Sequence, residues 1–433
     1  MIYLCLKAHS LIVNAFLIRS NLKTIVFKLN QFPHLSETFI LSQIITAINS
    51  GYDVKLLVTE VLSFEVSKQT KLLEKYNIAD KIVVEDYDIP KNKIHRFLKW
   101  GYLLIKNINN LNYIIRFYKH QNSFSLTWLF QLVFYKNHAK VSIFHIQYGT
   151  NKSPVDVLKK IDFIKASLIV SFHGHDAFFP INGFIPNNGY YDCLFASANT
   201  IVANTPYLAK IIEGLGCPSK ILKTIPVGVD TSFFTPKKIM QKGSKTLNII
   251  TVGRLSLEKG HIYALEVIKL LKNKGLDLHF RIVGDGQERS RLEQYIIENN
   301  LSNYVTLEGG KSQREVRDLL WCSDLFLFTS VALKDGRRET QGLATIEAAA
   351  CGLPAVVFDS GGVKYTMRDK ETGYIVPEFN VGAMVSKVEH FNFNRDLLNT
   401  MGIQAVAFIR ETYSHEMINR KWDIIYNNDL ERK

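Results

Sequence analysis

The amino-acid sequence predicts an α/β protein built from two doubly wound domains with parallel sheets. Three observations predict this. At 433 residues, the chain is longer than a single hydrophobic core ordinarily serves. In both halves, short runs of β-branched and aromatic residues alternate with helix-length segments, the pattern of a parallel sheet covered by helices. Between the halves, residues 228–244 turn to loop chemistry, with Pro236, Gly243 and several lysines.

Residues 1–22 read as an appendage ahead of the first strand, which is expected at 24–29. After the loop 30–34, Ser36 with Glu37 and Thr38 opens a helix that Gly51 closes. Further strands are expected at 54–58, 81–84, 141–147, 168–172, 200–203 and 221–225. In the second half, strands are expected at 247–252, 278–283, 304–307, 325–328, 355–358 and 374–376, with helices at 260–274, 287–299 and 313–322 among them. Six strands with alternating helices describe a domain of the dinucleotide-fold type. The organisation is then a first domain over 23–235, a linker over 236–246, a second domain over 247–411 and a final segment over 412–433. The helix of that segment, 414–426, begins after the second sheet is complete.

Residues 93–120 stand apart. On a helical wheel Ile94, Phe97, Leu98, Leu104, Ile105, Ile108, Leu111 and Ile115 share one apolar face. The opposite side mixes Arg96 and Lys99 with Leu103, Ile114 and Phe117. Two readings stay open: a surface helix pair with scattered lysines, or a surface that docks in the plane of a membrane. Nucleic-acid binding is not expected, because there is no recognition motif or ordered aromatic platform.

Charge is unevenly distributed. Residues 1–240 hold 27 Lys and Arg against 15 Asp and Glu, whereas residues 241–433 hold 26 against 25. Between Asp88 and Asp156 there is no acidic residue but there are ten basic ones, so an anionic partner should meet the first half. The five cysteines are an odd number with no C-x-x-C pair, which fits a reduced, cytoplasmic setting. No apolar run is long enough to span a bilayer. The short run 11–18 lacks a basic start and a cleavage site, and Asn14 interrupts it, so it does not read as a leader.

The chemistry concentrates at 335–354, where Glu339 and Glu347 flank Gly342 just after an apolar strand. The order reads as strand, loop, helix, with Glu339 in the loop and Glu347 about one turn inside the helix. At the carboxyl end of a parallel strand, free amides at a helix start favour an anion. Arg254 and Lys259, in Gly253-Arg-Leu-Ser-Leu-Glu-Lys-Gly260, can hold a diphosphate between two cations. Gly284-Asp-Gly286 reads as a structural turn with Asp285 capping the next helix. His173, His175 and Asp176 fall within four residues, but no second cluster completes a metal site, and none is expected.

Taken together, Gly-Arg-Leu…Lys-Gly, Val-Gly-Asp-Gly, and Glu-x7-Glu followed by Ala-x-Gly-Leu-Pro resemble the retaining family-four glycosyltransferases of the GT-B fold. Ser171-Phe-His-Gly-His-Asp176 and Ile225-Pro-Val-Gly-Val-Asp230 extend the resemblance into the first half, and Phe32-Pro-His-Leu-Ser-Glu-Thr-Phe-Ile40 looks like its exopolysaccharide and colanic-acid subgroup. The resemblance implies two Rossmann-like domains facing across a cleft, with the first taking the acceptor, the second the donor, and the last helix crossing back. It implies that Arg254 and Lys259 bind the donor pyrophosphate, that Gly342 and Leu343 start the helix at the phosphates, that Glu347 takes the ribose hydroxyls, and that Glu339 holds the sugar. His173 would close on the sugar from the first domain, with Asp176 nearby and the loop from Phe32 to Ser36 approaching donor or acceptor. Thr340 departs from the Gly of many relatives, and Lys364-Tyr365 stand where a Glu is frequent.

The expected activity is retaining, metal-independent hexosyl transfer, without cofactor, from a nucleotide diphosphate sugar to a lipid-linked or oligosaccharide acceptor of a surface polysaccharide. It would occur in the cytoplasm or peripherally at the inner membrane face, with an anionic membrane surface as a further candidate partner. A nucleotide-sugar epimerase of the same fold and a non-catalytic nucleotide-sugar-binding subunit are the alternatives.

Overall fold

A computed structural model describes residues 23–33, 38–64, 69–121, 124–236 and 245–431. The stretch 1–22, Ser36 and most of the expected linker lie outside the described residues. The first sheet contains β1 (Thr24–Phe32), β2 (Asp53–Val61), β3 (Ile82–Val84), β4 (Ile143–Gln147), β5 (Ser167–Phe172), β6 (Thr200–Ala203) and β7 (Leu222–Thr224). Their spatial order is β3-β2-β1-β4-β5-β6-β7. The second contains β8 (Leu247–Val252), β9 (Leu278–Val283), β10 (Val305–Gly309), β11 (Leu325–Phe328), β12 (Ala355–Phe358) and β13 (Gly373–Val376), ordered β10-β9-β8-β11-β12-β13.

Pairing is parallel throughout both sheets. The central strands β4, β5, β6, β11 and β12 are buried along their whole length, as expected where helices cover both faces. The strand order reverses between β1 and β4 and again between β8 and β11. Outside the carboxyl ends of such strand pairs a crevice opens that no crossover helix fills, and ligands bind there. The loops at that edge are 253–260 after β8 and 329–342 after β11 in the second domain, and those after β4 and β5 in the first.

The final helix, His415–Glu431, packs on the first sheet although it follows the second. Ile418, Trp422 and Tyr426 are buried in the core formed by β1, β2 and helix Thr38–Asn49. At its edge Ser50 donates to Asp423 at 2.6 Å and Tyr52 to Asn427 at 3.0 Å, and on its buried side Thr200 donates to Asp429 at 3.3 Å.

The segment 93–120 forms two helices, Lys93–Lys106 and Leu111–Lys119, joined by a 3-10 turn. Asn92 starts the first by accepting the Ile94 and His95 amides. Ile114 and Phe117 point into the core, while Ile94, Phe97, Leu98, Ile105 and Ile108 point to solvent. Of the two apolar sides on the helical wheel, the richer one is left uncovered, except that Leu104 packs inward against the core. Asp285 does not cap the helix Arg289–Glu298; its carboxylate accepts the Gly286 amide at 2.8 Å, and Glu288 occupies the cap position.

Candidate active site

Helix Leu343–Ala350 begins at Gly342, whose φ of +88° is a left-handed conformation that costs an L side chain energy and glycine little. This sharp entry turns the Gly342 amide back onto Glu339 Oε1 at 3.2 Å. The other oxygen, Oε2, accepts from Lys259 Nζ in a short, largely buried ion pair. Burial pushes the Glu339 carboxyl up, but the Lys259 charge and the Gln341 and Gly342 amides outweigh it, so the group sits below the usual carboxylate range. Lys259 also lies 5.4 Å from the Phe328 ring centroid at the end of β11.

The backbone under Glu339 is held from β12. The Gly362 amide donates to the Glu339 carbonyl at 2.8 Å, and a Cβ at position 362 would lie 1.8 Å from the Thr340 carbonyl oxygen. Only glycine lets the two segments approach so closely.

Arg254 stands at the mouth of the same crevice with 82% of its side chain exposed, 3.8 Å from Glu258. Glu347 lies one turn beyond Leu343. Among the described residues no hydrogen-bonding partner reaches its carboxylate, and burial raises its pKa to about 7. Leu343 and Glu347 line a cavity of about 670 Å³ that also meets Phe39, Val227, Asp230 and His415 from the first domain and the connecting segments.

From the first domain, His173 follows β5. Its Nε2–H donates to Gln147 Oε1 at 2.8 Å, while Nδ1 is buried without a partner. Burial lowers its pKa to about 4, with Asp176 opposing the shift and His175 adding to it, so the ring is neutral near pH 7. The rings of Phe39 at 4.9 Å and Tyr148 at 4.6 Å fix its plane. Behind it, Gln147 approaches His145, whose Nε2 lies 2.8 Å from Ser171 Oγ and whose Nδ1 lies 3.0 Å from the Tyr426 hydroxyl.

The two halves meet at Thr340 and Gln341. The Thr340 hydroxyl donates to the His173 carbonyl at 3.1 Å and accepts from Asn204 at 3.4 Å, and Thr205 donates to the Thr340 carbonyl at 2.7 Å. The Gln341 side-chain amide bonds both the N–H and the C=O of Val227, at 2.9 and 2.8 Å.

Residues 234–407 match the family model described as glycosyl transferases group 1. The second domain is a group 1 glycosyltransferase domain. Among curated proteins, the chain is 27% identical over 403 residues to the putative colanic acid biosynthesis glycosyltransferase WcaL of Escherichia coli (strain K12), covering 91% of this chain and 97% of that protein. It is 26% identical over 363 residues to the amylovoran biosynthesis glycosyltransferase AmsK of Erwinia amylovora, covering 82% and 87%. Among solved structures, Anabaena Alr3699/HepE in complex with UDP superposes with a TM-score of 0.69 at 16% identity, covering 94% of this chain and 100% of that one. A glycosyltransferase from Rickettsia africae ESF-5 gives 0.69 at 18% identity, covering 95% and 100%. The architecture is GT-B, and the chain resembles the exopolysaccharide glycosyltransferases over most of its length.

In this chain Lys259, Glu339 and the start of helix Leu343–Ala350 come together directly, with Arg254 exposed on the loop before Lys259 and Glu347 lining the cavity. This is an anion site beside two carboxylates: cations and helix amides suit phosphates, and the unpartnered Glu347 carboxylate suits hydroxyl groups. Two expected site residues do not reach the cleft. Phe32 is 4% exposed and belongs to the first-domain core, because the last inward position of a nine-residue strand is buried by helix Thr38–Asn49. Asp176 is fully buried and accepts the amides of Gly149, His173 and Gly174, so both oxygens hold the turn after β5 rather than a ligand. His175 is exposed and lies against Tyr148.

Sequence reasoning missed Phe39, Gln147 and Thr340 as site residues. Phe39 reads as the first apolar residue of a helix, and Gln147 as the end of a buried strand. Thr340 carried a signal, its departure from glycine, which falls where the two domains touch.

Proposed function

We propose that this glycosyltransferase is a retaining hexosyltransferase that moves a hexose from a nucleotide diphosphate sugar to a lipid-linked or growing surface polysaccharide. The observation that carries the reading is the Lys259–Glu339 pair at the start of helix Leu343–Ala350, facing His173 across the cleft. Lys259, Arg254 and the amides after Gly342 bind the pyrophosphate and stabilise charge on the departing nucleoside diphosphate. Glu347 accepts hydrogen bonds from the ribose, and Glu339, already fixed by Lys259, orients the sugar. His173, held neutral by burial, closes the first-domain wall on the sugar.

Transfer proceeds on one face of the sugar. The bond between the anomeric carbon and the phosphate oxygen breaks as the acceptor oxygen bonds that carbon, and the acceptor proton passes to the leaving phosphate. The polysaccharide setting is supported by the names of the similar proteins WcaL and AmsK, and the nucleotide donor by the UDP bound in the similar HepE structure.

The test begins with thermal-shift screening of UDP-, GDP- and ADP-sugars, since a ligand at 100 times its dissociation constant stabilises by about 2.7 kcal/mol. The donor so found is then incubated with membrane-extracted acceptor, with and without a chelator. Transfer with the donor's anomeric configuration kept, unchanged by chelator, supports the reading. Isomerised sugar nucleotide without acceptor, or binding without turnover, overturns it in favour of an epimerase or a binding subunit.

A further inference from the structure

We propose that helices Lys93–Lys106 and Leu111–Lys119 are a docking surface for a bilayer rich in anionic headgroups, on which the protein lies without being inserted across it. The inference goes beyond the transfer reading and does not depend on it. Ile94, Phe97, Leu98, Tyr102, Ile105 and Ile108 expose 59–74% of their surface. Their spacing of i, i+3, i+4, i+8, i+11 and i+14 runs them along one side of the helix and into its turn. Single exposed apolar residues are ordinary on a protein surface, but a contiguous row of six marks an interaction face.

The row is not left over from weak packing. Trp100, Leu103 and Leu104 on the inner side pack against the first-domain core, and Ile114 and Phe117 of the second helix are buried there. The segment leading into the first helix is pinned as well. Glu85 accepts from the buried Lys28 ammonium at 3.0 Å, and Lys28 also donates to Ser153 O at 2.7 Å. The apolar row is therefore held outward on a rigid mount.

Charge selects the occupant. No acidic residue occurs between Asp88 and Asp156, while Lys91, Lys93, Lys106, Arg116 and Lys119 are exposed on these helices and their approach. The Lys106 ammonium lies 5.7 Å from the Tyr102 ring centroid, beside the row itself. A second copy meeting this face about a two-fold axis would set these bases against their own copies, and Asp88, the acid at the approach to the first helix, is already paired with Lys99 at 2.5 Å. A bilayer with anionic lipids satisfies both features: acyl chains take the apolar row, and headgroups take the lysines. No described helix is long and apolar enough to cross a membrane, so the contact is in-plane.

The test uses the full chain, without donor, mixed with sedimenting vesicles of phosphatidylcholine alone or with added phosphatidylglycerol, at about 0.05 M and about 0.5 M salt. The proposal expects retention on the anionic vesicles at low salt and weaker retention at high salt. Lys93→Gln/Lys106→Gln should lower the partition coefficient roughly thirtyfold, from the worth of two lysines at a charged surface. Phe97→Ser/Ile105→Ser should abolish retention with an unchanged melting curve, because both side chains are exposed. Wild-type protein that stays in the supernatant overturns the proposal. So does equal retention of the variants, or a dimer that Phe97→Ser/Ile105→Ser separates while no vesicle binding is seen.

Discussion

The Thr340 hydroxyl, on the loop that carries Glu339, donates to the carbonyl oxygen of His173, on the loop after β5. This hydrogen bond ties the donor-side carboxylate loop to the histidine opposite, beside those that Asn204 and Thr205 make to the same threonine. Thr340→Val keeps the shape and removes the hydroxyl. A net loss of about 1 kcal/mol should weaken nucleotide-sugar binding roughly fivefold. Calorimetric titration checks the affinity, and small-angle scattering of the donor-bound variant should show a larger radius of gyration than the wild type.

Lys259 and Glu339 form a largely buried ion pair, so removing one partner should cost more than removing both. Lys259→Met leaves Glu339 without its cation and should lower both stability and donor affinity. The double variant Lys259→Met/Glu339→Gln should recover stability without recovering transfer. Glu339→Gln alone should lower kcat/KM by about 10²- to 10³-fold, the scale of one lost preorganised electrostatic contact. Urea unfolding and initial-rate measurements on the three proteins separate these outcomes.

Gly362→Ala places a methyl group where the Thr340 carbonyl oxygen stands. The loop carrying Glu339 must move, while both sheets retain their cores. The expected result is loss of transfer with an unchanged far-ultraviolet dichroism spectrum. A Gly362→Ala protein with wild-type rates would show that the tight approach is not needed for catalysis.

Glu347 should make stability depend on pH in an identifiable direction. Its carboxyl is raised from 4.5 to about 7 by burial, so the folded state holds the proton more firmly than the unfolded chain. The resulting penalty on folding is absent below about pH 4.5, grows as the pH rises and is complete above about 7. Glu347→Gln should therefore match the wild type in acid and exceed it at pH 8. Urea midpoints across this range check the sign. In the same variant, nucleotide affinity should lose its rise with pH, because no carboxylate forms to accept the ribose hydroxyls.

Every strand of both sheets was legible in the sequence, and the fully buried central ones most plainly, because they appear as continuous apolar runs whose ends are marked by glycine, proline and polar residues. The residues of the second-domain site were legible for a related reason: Arg254, Lys259, Glu339 and Glu347 occupy loops and a helix start that directly follow such runs. The first-domain side was harder to read. Phe32 and Asp176 occupy strand-end positions similar to that of His173, and only packing decides which side chain turns to the core, which to a backbone amide and which to the cleft. For 93–120 the helical wheel shows two apolar sides, and periodicity alone carries no information on which one the core takes.

The last helix places Tyr426 against His145, which stands behind Gln147 and His173. A wall of the first domain is thus built from residues that leave the ribosome after the whole second domain. The first half of the chain is made first and finished last. A nascent chain that stops before residue 415 carries both sheets but leaves Ile25, Phe27 and His145 without their cover. Histidine positioning and core closure then arrive in a single step, with the last helix.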